Sequence, residues 1–240
     1  MRLSVVIPAK NEADNIVTLV RDIDRALALH APFEIVVVDD GSTDDMVARL
    51  MAEGTAMPHL RVVSHDHSGG QSAAVHTGVR TATAPIILTL DGDGQNPPEE
   101  LPKLAAPLLA DATGRIGLVA GQRVDRQDTW SKKTASRLAN GLRGWMLNDG
   151  TRDTGCGLKG FRRDAFLAFP YFDHMHRYLP ALAKRDGWEV VHVDVSHRPR
   201  GAGRSNYSNI QRAFVGAIDL VGVAWLIRRR KKARPVERKP

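Results

Sequence analysis

Asp91 and Asp93 flank a single glycine within the stretch LTLDGDGQNPPEE. Both carboxylates can converge on one hard cation, because Gly92 and Gly94 permit a tight backbone and Gln95 adds a neutral oxygen within reach. Mg2+ or Mn2+ held by only two or three protein oxygens keeps positions open for phosphate oxygens, so Asp91, Asp93 and Gln95 predict a diphosphate-bearing substrate. An ordinary Asp-Gly turn is the plain alternative. A calcium loop is excluded, since Asn96 stands where that loop requires glycine. A second acidic pair, Asp39 and Asp40, precedes Gly41-Ser42-Thr43. Its acceptors suit a nucleobase or ribose, while Asp40 or Ser42 can also cap the next helix. Gly69-Gly70-Gln71-Ser72 opens a third helix, whose amides can face an anion. The spacing is not GxGxxG, so a dinucleotide fold has little support.

These groups need a scaffold that brings them together. Short runs rich in β-branched residues (Leu3 to Ile7, Ile35 to Val38, Leu60 to Val63, Ile86 to Leu90, Ile116 to Val119, Val190 to Val195) alternate with segments of helical period. That is the pattern of an α/β fold with a mostly parallel sheet. Ile16, Leu19, Val20, Ile23 and Leu27 form one apolar stripe, and Thr43 to Glu53 and Ser72 to Thr81 repeat the pattern. In open parallel sheets ligands bind beyond the carboxyl ends of the strands. The residues there are Pro8-Ala9-Lys10-Asn11-Glu12, Asp39-Asp40-Gly41 and Asp91-Gly92-Asp93, so three strand ends deliver polar groups to one crevice.

At 240 residues the chain suits one domain and a tail. A single cysteine, Cys156, excludes an internal disulfide and fits a reducing compartment. MRLSVVIP at the start is too short for the apolar region of a signal peptide and reads as part of the fold. The net charge of +7 is carried by residues 228–240, which hold eight basic and one acidic residue; residues 1–227 balance at 26 of each. That placement argues against nucleic acid and for anionic lipid headgroups, with a solvated tail as the alternative. Ala213 to Ile227 is apolar apart from Asp219 and, at fifteen residues, shorter than the roughly twenty that span a bilayer. Phe214, Ile218, Val221 and Trp225, followed by Arg228 to Lys232, suggest an interfacial helix, with a core helix as the alternative. The expected division is 1–207 for the catalytic domain, 208–232 for the membrane-associating helix and 233–240 for a disordered tail.

VVIPAKNE, IVVVDDGSTDD, GGQSAAVHTG and LTLDGDGQNPPEE occur in an order and at spacings that resemble family 2 glycosyltransferases. GQR at 121–123, WSKKTASRLAN at 130–140, DTGCGLKGFRR at 153–163 and RPRGAGRSNY at 198–207 resemble the branch of dolichol-phosphate mannosyltransferases and undecaprenyl-phosphate sugar transferases. The resemblance covers about residues 3 to 207. It implies a GT-A fold, a divalent metal, a nucleotide-diphosphate sugar, with mannose as the first guess, and a polyprenyl phosphate acceptor at the cytoplasmic face of a membrane. By the same resemblance Pro8, Ala9, Asn11, Glu12, Asp39 and Asp40 contact the nucleoside, with Gly70, Gln71 and Gly92 near the donor, and Asp91, Asp93 and Gln95 hold the metal. Arg123, with Lys132 or Arg137, faces the acceptor phosphate, and Arg200 with Ser205 lies in the loop that closes over the donor. Asn206 departs from the family, which commonly has lysine there; Arg204 can compensate.

A phosphate monoester is already mostly anionic at neutral pH, so such an acceptor needs no strong base. Orientation and charge neutralisation then dominate, with in-line attack at the anomeric carbon, inversion, and Asp91 and Asp93 as electrostatic parts rather than nucleophiles. Other signals carry less. Cys156 reads as a packed thiol. His65 with His67, and His174 with His176, lack a third zinc ligand. Trp145 and Trp188 read as core or surface-anchoring rings. A GT-A enzyme with a soluble saccharide acceptor and a non-catalytic nucleotide-sugar sensor are the alternatives, distinguished by the need for residues 208–240 and by donor binding without turnover. A sugar nucleotidyltransferase lacks its Gly-rich basic first loop here.

Overall fold

The computed structural model describes residues 1–124, 141, 143–151, 153–198, 209–230, 233 and 236. Seven strands form one sheet: β1 (Leu3–Ala9), β2 (Phe33–Asp39), β3 (Leu60–Ser64), β4 (Ile86–Thr89), β5 (Ile116–Arg123), β6 (Lys159–Arg162) and β7 (Glu189–Val195), in the order β3-β2-β1-β4-β6-β5-β7. All pairs are parallel except those of β6, which runs antiparallel to both β4 and β5. The six apolar runs of the sequence are the six parallel strands. β6, with the sequence KGFR, was not expected.

Helices cover both faces, which is why the central strands read as unbroken apolar runs: all seven positions of β2 are buried. Side chains alternate, so Leu3, Val5 and Ile7 of β1 join one core and Val6 the other. The first core takes the stripe of α1 (Ile16–Ala26), where Ile16, Leu19, Val20 and Ile23 fall at i, i+3, i+4 and i+7 and are all buried. Burying each such side chain is worth about 1.5–3 kcal/mol against leaving it exposed. Met46 and Leu50 of α2 (Met46–Gly54) and Leu101, Leu104 and Leu108 of α4 (Leu101–Ala110) complete that layer. The second core packs α3 (Gln71–Thr81), α6 (Arg163–Ala168) and α7 (Leu179–Arg185) on the opposite face. α3 lies close to β1 because residue 78 is glycine; a β-carbon there would collide with Val6.

The last described helix, α8 (Asn209–Arg228), belongs to a third cluster. Its Val223 and Ala224 meet Tyr178, Ala181 and Leu147, the last from helix α5, described over 143–147. Tyr178 Oη donates to Gly216 O (3.2 Å), Arg185 Nε donates to Leu226 O (3.0 Å), and His174 Nδ1 lies 3.2 Å from Asp219 Oδ2. The other side of α8 exposes Ile218, Val221 and Trp225. Among the described residues no helix is long and apolar enough to cross a membrane.

Candidate active site

β2, β1 and β4 are neighbours running the same way, so their carboxyl ends bring Asp39, Pro8 to Glu12 and Asp91 to Gln95 to one edge of the sheet. The β1 and β2 ends are tied to one another. Asn11, in the left-handed region at φ 55°, accepts the Thr43 amide on Oδ1 (2.8 Å), and its own amide donates to Ser42 Oγ (2.9 Å). Asp39 Oδ1 accepts the Ser42 amide (2.9 Å). Glu12 turns towards α1, its carboxylate accepting from Asn15 Nδ2 (2.8 Å) and its carbonyl from the Ile16 amide (2.9 Å). Gly92 lies so close to β1 that a β-carbon there would sit 2.9 Å from Ala9 Cβ.

Asp40 has a different occupation. Its Oδ1 accepts from the Gly69 amide (2.8 Å) and lies 2.8 Å from His65 Nδ1; its Oδ2 accepts from Ser68 Oγ (2.7 Å) and the Gly70 amide (2.9 Å). Burial alone would raise its pKa, but these donors together hold it below the ordinary value. The anion facing the start of α3 is therefore Asp40 itself, and the Gly69 and Gly70 amides are engaged within the chain. Gln71, the first residue of α3, reaches across to Asp91 instead, with Nε2 2.7 Å from Oδ1. Asn96 Nδ2 donates to the other oxygen, Oδ2, at 3.2 Å.

Asp93 accepts the Gln95 amide on Oδ1 (3.1 Å). Burial raises the pKa of Asp91, and the nearby charge of Asp93 raises it further, against the opposing pull of Lys159. A buried carboxylate with a second one close by fits a hard divalent cation. The fit is partial: among the described residues no group of three or more His, Cys, Asp or Glu side chains is placed to hold a metal. Asp91 and Asp93, with Gln95 as the third ligand expected from the sequence, would leave the remaining positions to a substrate or water.

Beside this pair lies a cleft of about 120 Å³, lined among others by Pro8, Gln71, Asp91, Cys156, Lys159 and His176. Lys159 stands on β6 opposite Thr89 of β4, is 6% exposed, and donates from Nζ to Cys156 O. Burial lowers its pKa, which the charges of Cys156, Asp91 and Asp153 counter. His176 is held well below its ordinary pKa by burial, with Nδ1 2.8 Å from Ser72 Oγ, so the ring is neutral near pH 7. Arg123, at the end of β5, forms a bidentate pair with Asp153 (Nε to Oδ2 2.5 Å, Nη2 to Oδ1 2.9 Å), and this pairing raises its pKa.

The sequence profile described as Glycosyl transferase family 2 matches residues 4–168, the segment that carries all of these strand ends. The chain belongs to glycosyl transferase family 2. Curated relatives include the undecaprenyl-phosphate 4-deoxy-4-formamido-L-arabinose transferases of Sodalis glossinidius, 35% identical over 209 residues, and of Klebsiella pneumoniae, 36% identical over 210. Each match covers 86% of this chain and 63% of the relative, so the chain spans under two thirds of their length. Mycobacterium tuberculosis glucosyl-3-phosphoglycerate synthase, solved with Mn2+, UDP and phosphoglyceric acid, superposes with a TM-score of 0.71 at 21% identity, over 97% of this chain and 80% of its own. The same enzyme with Mn2+, UDP-glucose and glycerol 3-phosphate gives 0.70, at 21% identity over 94% and 79%. The observed architecture is the GT-A fold the sequence implied. The matched relatives are named for an arabinose-type sugar, whereas mannose is the first guess from the sequence.

Within this family 2 chain the structure brings together Pro8, Ala9, Asn11, Asp39, Gln71, Asp91, Gly92, Asp93 and Gln95. It turns Asp40 and the Gly70 amide towards one another and pairs Arg123 with Asp153. Lys132, Arg137, Arg200 and Ser205, with Arg204 and Asn206, lie outside the described residues, although the Arg198 amide just before them donates to Gln95 O (2.9 Å). Cys156 is a packed thiol, 1% exposed, its pKa raised by burial. His65 bonds Asp40 and Thr77, and His174 bonds Asp219. Trp188 packs on the second core, while Trp145 is 81% exposed. Sequence reasoning missed Lys159, Asp153, Asn96 and His176. A signal existed for Lys159: a lysine between Leu158 and Gly160 in a short strand sits where the sheet is covered on both faces.

Proposed function

We propose that this family 2 glycosyltransferase moves a sugar from a UDP-sugar to a polyprenyl phosphate at a membrane surface. The observation that carries the reading is the convergence of Asp39, Asp91 and Asp93 at neighbouring strand ends beside a cleft containing Lys159. Carboxylates suit a nucleoside and a cation; buried positive charge suits phosphate. The names of the relatives support undecaprenyl phosphate as acceptor and an arabinose-type amino sugar as cargo, and the neighbours' UDP and Mn2+ support the nucleotide and the cation. In this reading Pro8, Ala9, Asn11 and Asp39 receive the nucleoside, while Glu12 holds the start of α1 and Asp40 shapes the loop beside it.

An acceptor phosphate oxygen attacks the anomeric carbon as the bond from that carbon to the diphosphate oxygen breaks, the electron pair leaving with UDP and the configuration inverting. Arg123, with Lys132 or Arg137, orients the acceptor phosphate, and Arg123 shares its guanidinium with Asp153. Arg200 and Ser205, outside the described residues, are proposed to serve the donor side. Asp91, Asp93 and Gln95 would hold a divalent cation, which when bound would supply countercharge to the departing diphosphate.

The exposed side of α8, Trp145 and the basic run from Arg228 favour an anionic lipid surface. Each cation near such a surface adds about 1 kcal/mol. The test incubates the full chain with Mn2+ or Mg2+, undecaprenyl phosphate in detergent, and a donor panel including GDP-mannose, UDP-glucose and the UDP-linked formamido-arabinose. Mass spectrometry then looks for a sugar-phosphate-lipid. Turnover only with a soluble saccharide, or donor binding with no turnover, would overturn the proposal in favour of another acceptor or a sensor.

A further inference from the structure

The Ser68–Gln71 loop has the composition of a phosphate cradle, and its hydrogen bonds give it another task. Two of its backbone amides and one hydroxyl are taken by Asp40, and His65 completes the set from the end of β3. Gly41 lets the loop come close: a β-carbon there would meet the Ser68 nitrogen at 2.9 Å. Gly70, at φ 84°, turns the chain so that the next residue opens α3. That residue is Gln71, whose amide bonds Asp91. The end of β2 is thus joined through four residues to the carboxylate beyond β4.

We infer that the Ser68–Gln71 loop is a brace, and that Gln71 is a positioning residue which, with Asn96, fixes the Asp91 carboxylate and so sets the affinity of the site for a divalent cation. The two amide side chains hold opposite oxygens of one carboxylate, Gln71 on Oδ1 and Asn96 on Oδ2. With both in place the carboxylate plane is defined and each oxygen keeps a lone pair for another partner. Without Gln71 the plane is fixed at one oxygen only. Outer-shell hydrogen bonds of this kind change metal affinity by about 10- to 100-fold.

The inference rests on the proposed cation, so the test separates the two. Gln71 is exposed, and Gln71→Ala and Gln71→Met remove the donor without opening the core; methionine keeps the length. Mn2+ binding is followed by electron paramagnetic resonance with saturating UDP, and UDP binding by calorimetry in EDTA. Both variants are expected to bind Mn2+ about 10-fold more weakly than wild type, with unchanged melting temperature and unchanged metal-free UDP affinity. Wild-type Mn2+ affinity in both variants overturns the positioning role. An equal loss of metal-free UDP affinity also overturns it, making Gln71 a direct donor contact. A wild-type protein that holds no Mn2+ with UDP present removes the cation from the proposed function, and this inference with it.

Discussion

Gly157 faces Asp91, and an alanine there tests how tightly that carboxylate is placed. A β-carbon on residue 157 would lie 2.5 Å from Asp91 Cγ and 2.6 Å from Oδ1, where ordinary contact begins at 3.4 Å. The carboxylate must retreat by about 1 Å, a misplacement that costs on the order of 100-fold in rate. It has no free direction, since Gln71 and Asn96 hold its two oxygens and Asp93 repels it. Gly157 is not among the residues at positive φ, so alanine suits the backbone. Gly157→Ala is therefore expected to remain folded at a melting temperature lowered by overpacking and to lose about 100-fold in kcat for glycolipid formation at saturating donor and cation. A kcat close to wild type would show that Asp91 moves freely or takes no part in the chemistry, and the electrostatic role assigned to it would fall.

Three further outcomes are expected. Asp93→Ala abolishes turnover with the circular dichroism spectrum and melting temperature unchanged; near-normal rates would remove Asp93 from the cation site. Glu34 is buried among Ser4, Thr83 and Arg61; burial alone would raise its pKa, but their hydrogen bonds bring it down from 4.5 to about 2. A depressed carboxylate stabilises the fold above its unfolded pKa and loses that contribution as pH falls through the folded value, here between 4.5 and about 2. The full contribution is about 3 kcal/mol, of which about 2 is gone by pH 3. Urea unfolding at pH 7 and pH 3 should show this loss in wild type and its absence in Glu34→Gln; equal slopes would refute the assignment. Trp145→Ser with Trp225→Ser should weaken co-sedimentation with phosphatidylglycerol vesicles while leaving turnover in detergent unchanged, and undiminished sedimentation would remove this face as the lipid contact.

The parallel strands were legible because burial on both faces leaves β2 and its neighbours with unbroken apolar runs, bounded by polar residues at the ligand edge. β6 was hidden by its cations. Lys159 lies beside Asp91 and donates to a carbonyl, while Arg162 reaches along the edge to Ile116 O (3.0 Å) and Asp111 (3.2 Å), so neither needs solvent. Prolines obscured α4: Pro102 occupies its first turn, where a missing amide costs little, and Pro107 interrupts its interior. The acidic strand ends were legible as a group and not as individuals. Whether Asp39 or Asp40 turns outward depends on contacts with Ser68 to Gly70, 28 to 30 residues away, which no local pattern encodes.

The helix α8 shows why an amphipathicity search alone is a poor guide at this end of the chain. Its inner side buries Val223 and Ala224 against Tyr178 and Ala181, and its outer side exposes Val221 and Trp225, so apolar residues surround it. The inner side has its apolar partner within the protein, and the outer side suits the lipid surface proposed above. Asp219 looks misplaced within it until His174 is found 3.2 Å away. His174 in turn begins the turn holding His176 and Arg177, both of which line the cleft beside Asp91. The Asp219–His174 pair and the Tyr178–Gly216 hydrogen bond therefore dock α8 onto the segment that forms one wall of the site. If lipid covers the outer side of α8, that wall is placed at the membrane surface by direct packing. An acceptor whose phosphate stays at the headgroups while its tail remains in the bilayer would then meet the cleft without leaving the membrane.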